Sequence, residues 1–188
     1  MLLALLQETP MHAYRMQQLI KQRGKDKVVN VAQRNSVYQT IERLVRAELA
    51  EVMETSREPG RPERTVYRIT ATGSATLRSW LQRMLAVPAA EFPAFPAAVS
   101  TMMLLDVEDV IAQLEQRAER LRTEIATEDP AAFLATGALP RLFLLEDEYR
   151  VAMLRSELAW VESVLVELRS GAITWDDEWL RGIAAANE

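Results

Sequence analysis

Gln39, Thr40, Arg43 and Arg46 fall on one side of a stretch in which Val37, Ile41 and Leu44 recur at helical spacing on the other. Amide, hydroxyl and guanidinium groups placed this way are short or forked donors, the kind that reach base edges and phosphates when a helix lies in the major groove. A second group of cations follows in Arg57-Glu58-Pro59-Gly60-Arg61-Pro62-Glu63-Arg64. Two prolines and a glycine among three arginines make a stiff basic finger. Arginine suits a narrow minor groove, where the negative potential is deepest.

Catalysis has less to work with. His12 is the only histidine and there is no cysteine, so neither a histidine-dependent triad nor a His/Cys zinc site can be assembled. His12 reads instead as a structural or helix-start residue. Glu146-Asp147-Glu148 and Asp176-Asp177-Glu178 are carboxylate-rich, but neighbours on a helix point in different directions and do not make one octahedral Mg²⁺ site. They read as solvated faces. With neither a Gly-rich phosphate loop nor a nucleophile elbow, the expectation is no catalytic residue, no metal site and no cofactor.

The donors need a frame. Asn35 or Ser36 can cap the helix that carries Gln39 and Arg43 by accepting a hydrogen bond from a free first-turn N–H. After it, Leu49 to Ser56 and Thr65 to Thr70 alternate and contain Val52, Thr65, Val66, Tyr67 and Ile69, so they read as two strands joined by the basic finger. A helix followed by such a hairpin is the working end of a winged helix-turn-helix.

Three segments then carry a family resemblance: MHAYRM (Met11 to Met16), NSVYQTIERLVRAELA (Asn35 to Ala50) and GRPERTVYRITATG (Gly60 to Gly73). In order and spacing they resemble the PadR family of bacterial transcriptional regulators over Met1 to about Ala86. The chain departs from that pattern at Ala13, where glycine is usual, at Gln39, where proline is common, and at Ala47-Glu48, where an acidic residue and glycine usually make the turn. The first helix also opens abruptly at Met1, so an upstream turn is either absent or lies ahead of this start. Helix face and matching motif positions together imply a DNA-binding set of Tyr14, Asn35, Ser36, Tyr38, Gln39, Arg43, Arg57, Arg61 and Arg64. Tyr14, Ser36 and Tyr38 would hold phosphates, Gln39 and Arg43 would face bases, and the three later arginines would carry the wing. Tyr38 could equally be a core residue.

The charge is divided along the chain. Residues 1–87 hold 14 Lys+Arg against 8 Asp+Glu, net +6, and residues 88–188 hold 8 against 19, net −11, which together make the overall −5. Since fields are screened beyond roughly 8 Å at physiological salt, the local excess is what a phosphate meets. A basic half can bind double-stranded DNA while an acidic half does something else.

At 188 residues and 49% apolar, the chain can build one large or two small domains with a packed core. No run reaches the roughly 18 apolar residues that cross a bilayer, and Met1-Leu2-Leu3-Ala4-Leu5-Leu6 lacks a basic flank and a cleavage site. The absence of cysteine suits a reducing compartment, and the resemblance implies a cytoplasmic protein with no membrane partner.

Ala86 to Ala98 carries three prolines and is expected to be non-helical, with Phe92 and Phe95 pinning it to a surface. The expected division is a winged helix-turn-helix at 1–87, a Pro-rich linker at 88–98 and a helical dimerisation and effector domain at 99–188. In that last part Val107, Ile111, Leu114, Ala118, Leu121 and Ile125 step by 4, 3, 4, 3 and 4, an a/d seam. A second long helix, about Leu139 to Ser170, has one stripe at Leu142, Leu145, Tyr149, Ala152, Ser156 and Ala159 and another at Leu154, Leu158, Val161, Leu165 and Leu168. The stripes lie on the order of 140° apart, so the helix has two faces to bury. One should meet the preceding helix and the other a second subunit. The seam and the Leu154–Leu168 stripe form the expected dimerisation set, and a homodimer agrees with the resemblance. The competing architecture is a monomeric bundle in which a terminal helix from Trp175 covers the second face.

The fold expected is therefore mainly α with a small β-wing, and the function that of a dimeric DNA-binding regulator, a repressor on an inverted repeat. A small hydrophobic or phenolic effector is held open as a further partner, with Trp80, Trp160, Trp175, Trp179, Phe92, Phe95 and Tyr149 as candidate pocket residues. The alternative is a winged-helix adaptor whose basic wing meets an acidic protein.

Overall fold

The computed structural model describes residues 1–29, 34–56, 64–128 and 140–186. They fall into two compact units, Met1–Glu91 and Phe92–Glu188.

In the first unit, α1 (Leu2–Glu8) buries Leu2, Leu3, Leu5 and Leu6. A two-residue strand β1 (Met11–His12) leads into α2 (Ala13–Gln22), whose Ala13, Met16 and Ile20 share one buried face by helical spacing. α3 (Arg34–Arg46) buries Val37 and Ile41 against them, with Leu44 and Val45 partly buried. Strands β2 (Ala50–Ser56) and β3 (Arg64–Ile69) pair antiparallel in the register Ala50↔Ile69 to Ser56↔Arg64, with an irregularity between Val52 and Glu54. β1 adds to the other edge of β3 through Met11↔Tyr67 and His12↔Val66. The sheet order is thus β1-β3-β2. The two strands of the wing lie close to where alternation places them, whereas β1 is too short to leave a periodic signal.

The start of α3 differs from expectation. The helix already includes Arg34, so Asn35 and Ser36 sit inside its first turn rather than ahead of it as caps, and residues 30–33 lie outside the described chain. At the other end Glu48 takes φ 58°, among the described residues the sole non-glycine with positive φ. The Glu48 N–H donates to Val45 O and the Leu49 N–H to Leu44 O, each at 2.9 Å, the paired bonds that close a helix through a left-handed residue. Glutamate here adopts the conformation that glycine usually supplies, held by its surroundings: the Thr70 hydroxyl donates to Glu48 O at 2.8 Å. Ala13, by contrast, is buried and needs no glycine.

Thr70 also begins α4 (Ala71–Ala86), its side chain accepting from Gly73 N at 2.9 Å. Gly73 is required at that point, because a Cβ there would lie 1.9 Å from Leu49 O. One threonine and one glycine therefore lock the end of α3 to the helix that follows the wing.

The second unit opens with α5 (Ala94–Val99), inside the stretch expected to be non-helical. Pro96 is tolerated because it occupies the first turn, where backbone N–H groups have no intrahelical acceptor to lose. Phe92 is 96% exposed and pins nothing, whereas Phe95 is half-buried. α6 (Val107–Glu128) and α7 (Leu145–Ser170) form the body, followed by α8 (Asp177–Ala186). Arg169 meets Glu115 near one end and Arg150 meets Glu124 and Glu128 near the other, so α6 and α7 run antiparallel. Arg117–Glu157 at 2.5 Å and Arg122–Glu162 at 2.6 Å add rungs along the seam.

The residues assigned to dimerisation pack on one another within the chain. Leu114, Ala118 and Leu121 are buried and Val107, Ile111 and Ile125 partly buried; opposite them Val161, Leu165 and Leu168 are buried and Leu154 and Leu158 partly so. Val110, Val151 and Val164, and Leu144 just ahead of α7, are buried as well, off the stripes drawn from the sequence. The other stripe of α7 and the turn before it, Leu142, Leu145, Tyr149, Ala152, Ser156 and Ala159, is exposed throughout. The segment after α7 packs with the α6–α7 core rather than over that stripe: Ile173 and Trp175 join the core, and the Trp175 indole donates to Leu105 O at 3.0 Å.

Candidate nucleic-acid interface

α3 divides its side chains as its sequence does. Val37 and Ile41 are buried, while Gln39, Thr40, Arg43 and Arg46 are exposed. The Thr40 hydroxyl donates to Ser36 O at 2.6 Å, so its proton is engaged one turn back and Gln39, Arg43 and Arg46 are the donors facing outward. Ser36 is partly buried in the first turn, and the side chains of Arg34 and Asn35 lie outside the described set.

Tyr38 is 43% exposed and Tyr14 55%, which resolves the alternative left open for Tyr38 in favour of the surface. Both line a concavity of about 450 Å³ with His12, Ala13, Arg64, Thr65 and Tyr67. Three elements converge there: the β1–α2 junction brings His12 and Tyr14, α3 brings Tyr38, and β3 brings Arg64, Thr65 and Tyr67. Because side chains alternate along a strand, Thr65 and Tyr67 face this concavity while Val66 lines another with Glu8, Arg15 and Arg23. Burial raises the Tyr67 phenol above its ordinary range, helped by the Glu42 carboxylate and opposed by a hydrogen bond with Thr65. Tyr67 thus stays a neutral donor.

Arg64 is exposed at the start of β3, and Arg57 and Arg61 lie outside the described residues. Other nearby cations are engaged elsewhere. Arg68 meets Glu51 across the β2–β3 pair at 2.7 Å, and Arg23 grips Glu8 through two nitrogens at 2.6 and 2.7 Å. Hydrogen bonding to Arg23 holds the Glu8 carboxyl below its usual range.

His12 and Tyr67 were not expected at this surface. The lone histidine carried no spacing signal, and Tyr67 reaches the concavity only because β1 pairs with β3. The aromatic candidates of the second unit do not assemble as a group: Trp179 and Tyr149 are exposed, and Trp175 belongs to the core; Trp80, on α4 of the first unit, is exposed as well. Phe95 and Trp160 alone of these are recorded in edge contact, at 5.8 Å, with the Arg117 guanidinium 3.6 Å over the Phe95 ring. The acidic run in the first turn of α7 is ion-paired rather than simply solvated, Glu148 to Arg141 at 2.8 Å and Asp147 within 3.7 Å of Arg150. Among the described residues, no helix is long and apolar enough to cross a membrane.

Residues 2–79 match the model of the transcriptional regulator PadR-like family. No curated protein matches the chain. Among solved structures, Bacillus subtilis PadR in complex with operator DNA is similar at 16% identity and TM-score 0.70, covering 89% of this chain and 96% of that one. The same regulator in complex with p-coumaric acid gives 14% identity, TM-score 0.70 and the same coverages. Smu.1604c from Streptococcus mutans UA159 gives 22% identity and TM-score 0.60, covering 87% and 95%. At these identities the likeness is one of fold.

Proposed function

We propose, from the match of residues 2–79 to the PadR-like transcriptional regulator family model, that this chain is a sequence-specific DNA-binding regulator without catalytic activity, acting in the cytoplasm. The observation that carries the reading is the exposed Gln39 and Arg43 on the outer face of α3, flanked by the concavity of Tyr14, Tyr38 and Arg64. Base-edge donors sit on a helix of major-groove size, with phosphate donors at its side. Asn35, Ser36, Arg57 and Arg61 belong to the same proposed surface.

We assign it the working form of a homodimer. The support is the apolar stripe of Leu142, Leu145 and Tyr149, with Met153 beside it, left exposed by α7. A two-fold dimer would present two α3 helices to an inverted repeat, whose half-sites lie about 34 Å apart, one DNA turn. Repression is the expected outcome, by occupancy of the promoter.

The p-coumaric acid complex of the B. subtilis protein supports a small phenolic or hydrophobic effector here as well. Its seat in this chain would be the cavity of about 690 Å³ beside Phe95, Trp160, Arg117 and Glu157. That is the size range of small-molecule pockets. Titrating p-coumarate should change Trp160 fluorescence, and a Trp160→Phe variant should lose that component; an unchanged spectrum in the native chain would remove the effector assignment.

DNA binding is tested by fluorescence anisotropy with duplex from the gene's own upstream intergenic region against scrambled duplex, at two salt concentrations. The regulator reading expects a preference for the native duplex that persists at higher salt. Equal binding to both duplexes that vanishes with salt would leave only a basic surface, as in a protein-binding adaptor.

A further inference from the structure

The concavity beside α3 has a composition that the DNA-binding set above does not explain. Its described lining is His12, Ala13, Tyr14, Tyr38, Arg64, Thr65 and Tyr67: phenols, a hydroxyl, a guanidinium and an imidazole, with no carboxylate. Such donors converge on an anion. His12 is fixed there by its backbone, paired with Val66 across β1–β3, and its ring stands 6.5 Å from that of Tyr14 at 60°. It also lines the neighbouring concavity, where the charged residues are Glu8, Arg15 and Arg23. Two carboxylates act near this place: Glu8, whose oxygens are both held by Arg23, and Glu42 on α3, which acts on Tyr67 from outside the lining. Among the described residues neither is ion-paired with His12.

We propose that this concavity seats one phosphate of the DNA backbone, with the His12 imidazolium as a donor beside Tyr14, Tyr38 and Arg64, so that DNA binding takes up a proton. The assignment rests on the DNA-binding reading given above and adds His12 to it. A phosphate contact favours the charged imidazole, so duplex affinity rises as pH falls through the imidazole range. Phenols, guanidinium groups and carboxylates ordinarily titrate outside that range. The Met1 amino group, lowered by burial, titrates nearer to it, which is why the comparison is made against a His12 variant rather than across pH alone.

The test uses a labelled mixed-sequence duplex at low salt, because a phosphate contact needs no operator. From about pH 7.5 to about pH 6 the native chain should bind about fourfold more tightly, for a one-unit upward shift of one imidazole in the complex whose limit over all pH is about tenfold. His12→Gln should lose the His12 share of this pH response, whatever its affinity at the higher pH. The chain has a single histidine, so its one imidazole Hε1 resonance gives a second readout without mutation: the titration midpoint should rise when duplex is added. An identical pH response in both proteins, or a midpoint that duplex does not move, overturns the assignment while leaving DNA binding intact. No duplex binding by the native chain at either pH overturns the DNA-binding reading itself.

Discussion

In the proposed DNA complex, two side chains on α3 and its flank would do different work because they would meet different parts of a duplex. Arg43 faces outward from the middle of the helix, whereas Arg64 lies at the edge of the concavity where the wing begins. Arg43→Ala should therefore relax preference at one position of each half-site, at about 1–3 kcal/mol, while Arg64→Ala should weaken all sequences alike and lower the salt slope by about one. Competition binding over a panel of single-base operator variants separates the two, and parallel losses across the whole panel would remove the distinction. Glu48 poses a backbone question instead. It holds φ 58°, so Glu48→Gly should stabilise the first unit by roughly 0.5–1 kcal/mol, offset by the greater freedom glycine gains when unfolded. Chemical denaturation reads the sign: a destabilised glycine variant would show that the Glu48 side chain contributes more than its strained backbone costs.

Among the elements, the junction between α3 and α4 is the tightest point of the first unit. Gly73 lies under Leu49 O with no room for a methyl group, and Thr70 bridges Glu48 O and Gly73 N. Gly73→Ala must push β2 away from α4, so it should cost about 1–3 kcal/mol or more and lower duplex affinity through misplaced α3 and wing. An alanine variant with native melting temperature would mean that the two elements have slack. Helix and strand positions were legible here because periodicity reports burial directly: Val37 and Ile41 mark the inner face of α3, and alternation marks β3. The two-residue β1 and the first turn of α3 were not, since neither leaves a repeating pattern. Pro96 misled for a local reason, because a proline breaks a helix only beyond its first turn.

At the scale of the whole molecule, the basic segment 1–87 carries the charge that the proposed DNA contact needs, and the acidic remainder does not. The two apolar stripes of the second long helix are both real in the structure, but the Leu154–Leu168 stripe is taken up by α6 and only the Leu142–Tyr149 side stays open. The proposed dimer therefore depends on Leu145 and Tyr149, and Leu145→Glu with Tyr149→Glu should shift sedimentation from dimer to monomer. Helical content should be kept, because both side chains are exposed in the single chain. Operator affinity should fall by more than tenfold as the second half-site contact is lost. A doubly substituted chain that still sediments as a dimer would move the interface elsewhere.

The outer face of α3, the two strands of the wing, the charge division and the winged helix-turn-helix itself were determined by the sequence alone. Each follows from spacing or composition within a few neighbouring residues, or from three motif segments in fixed order. Only the tertiary structure decided which face of α7 is covered within the chain, that Glu48 stands in for glycine, and that His12, Tyr38 and Tyr67 share one concavity. Those facts depend on residues far apart in sequence meeting across β1–β3 and α6–α7, and a periodic pattern can say that a face needs a partner without saying which one.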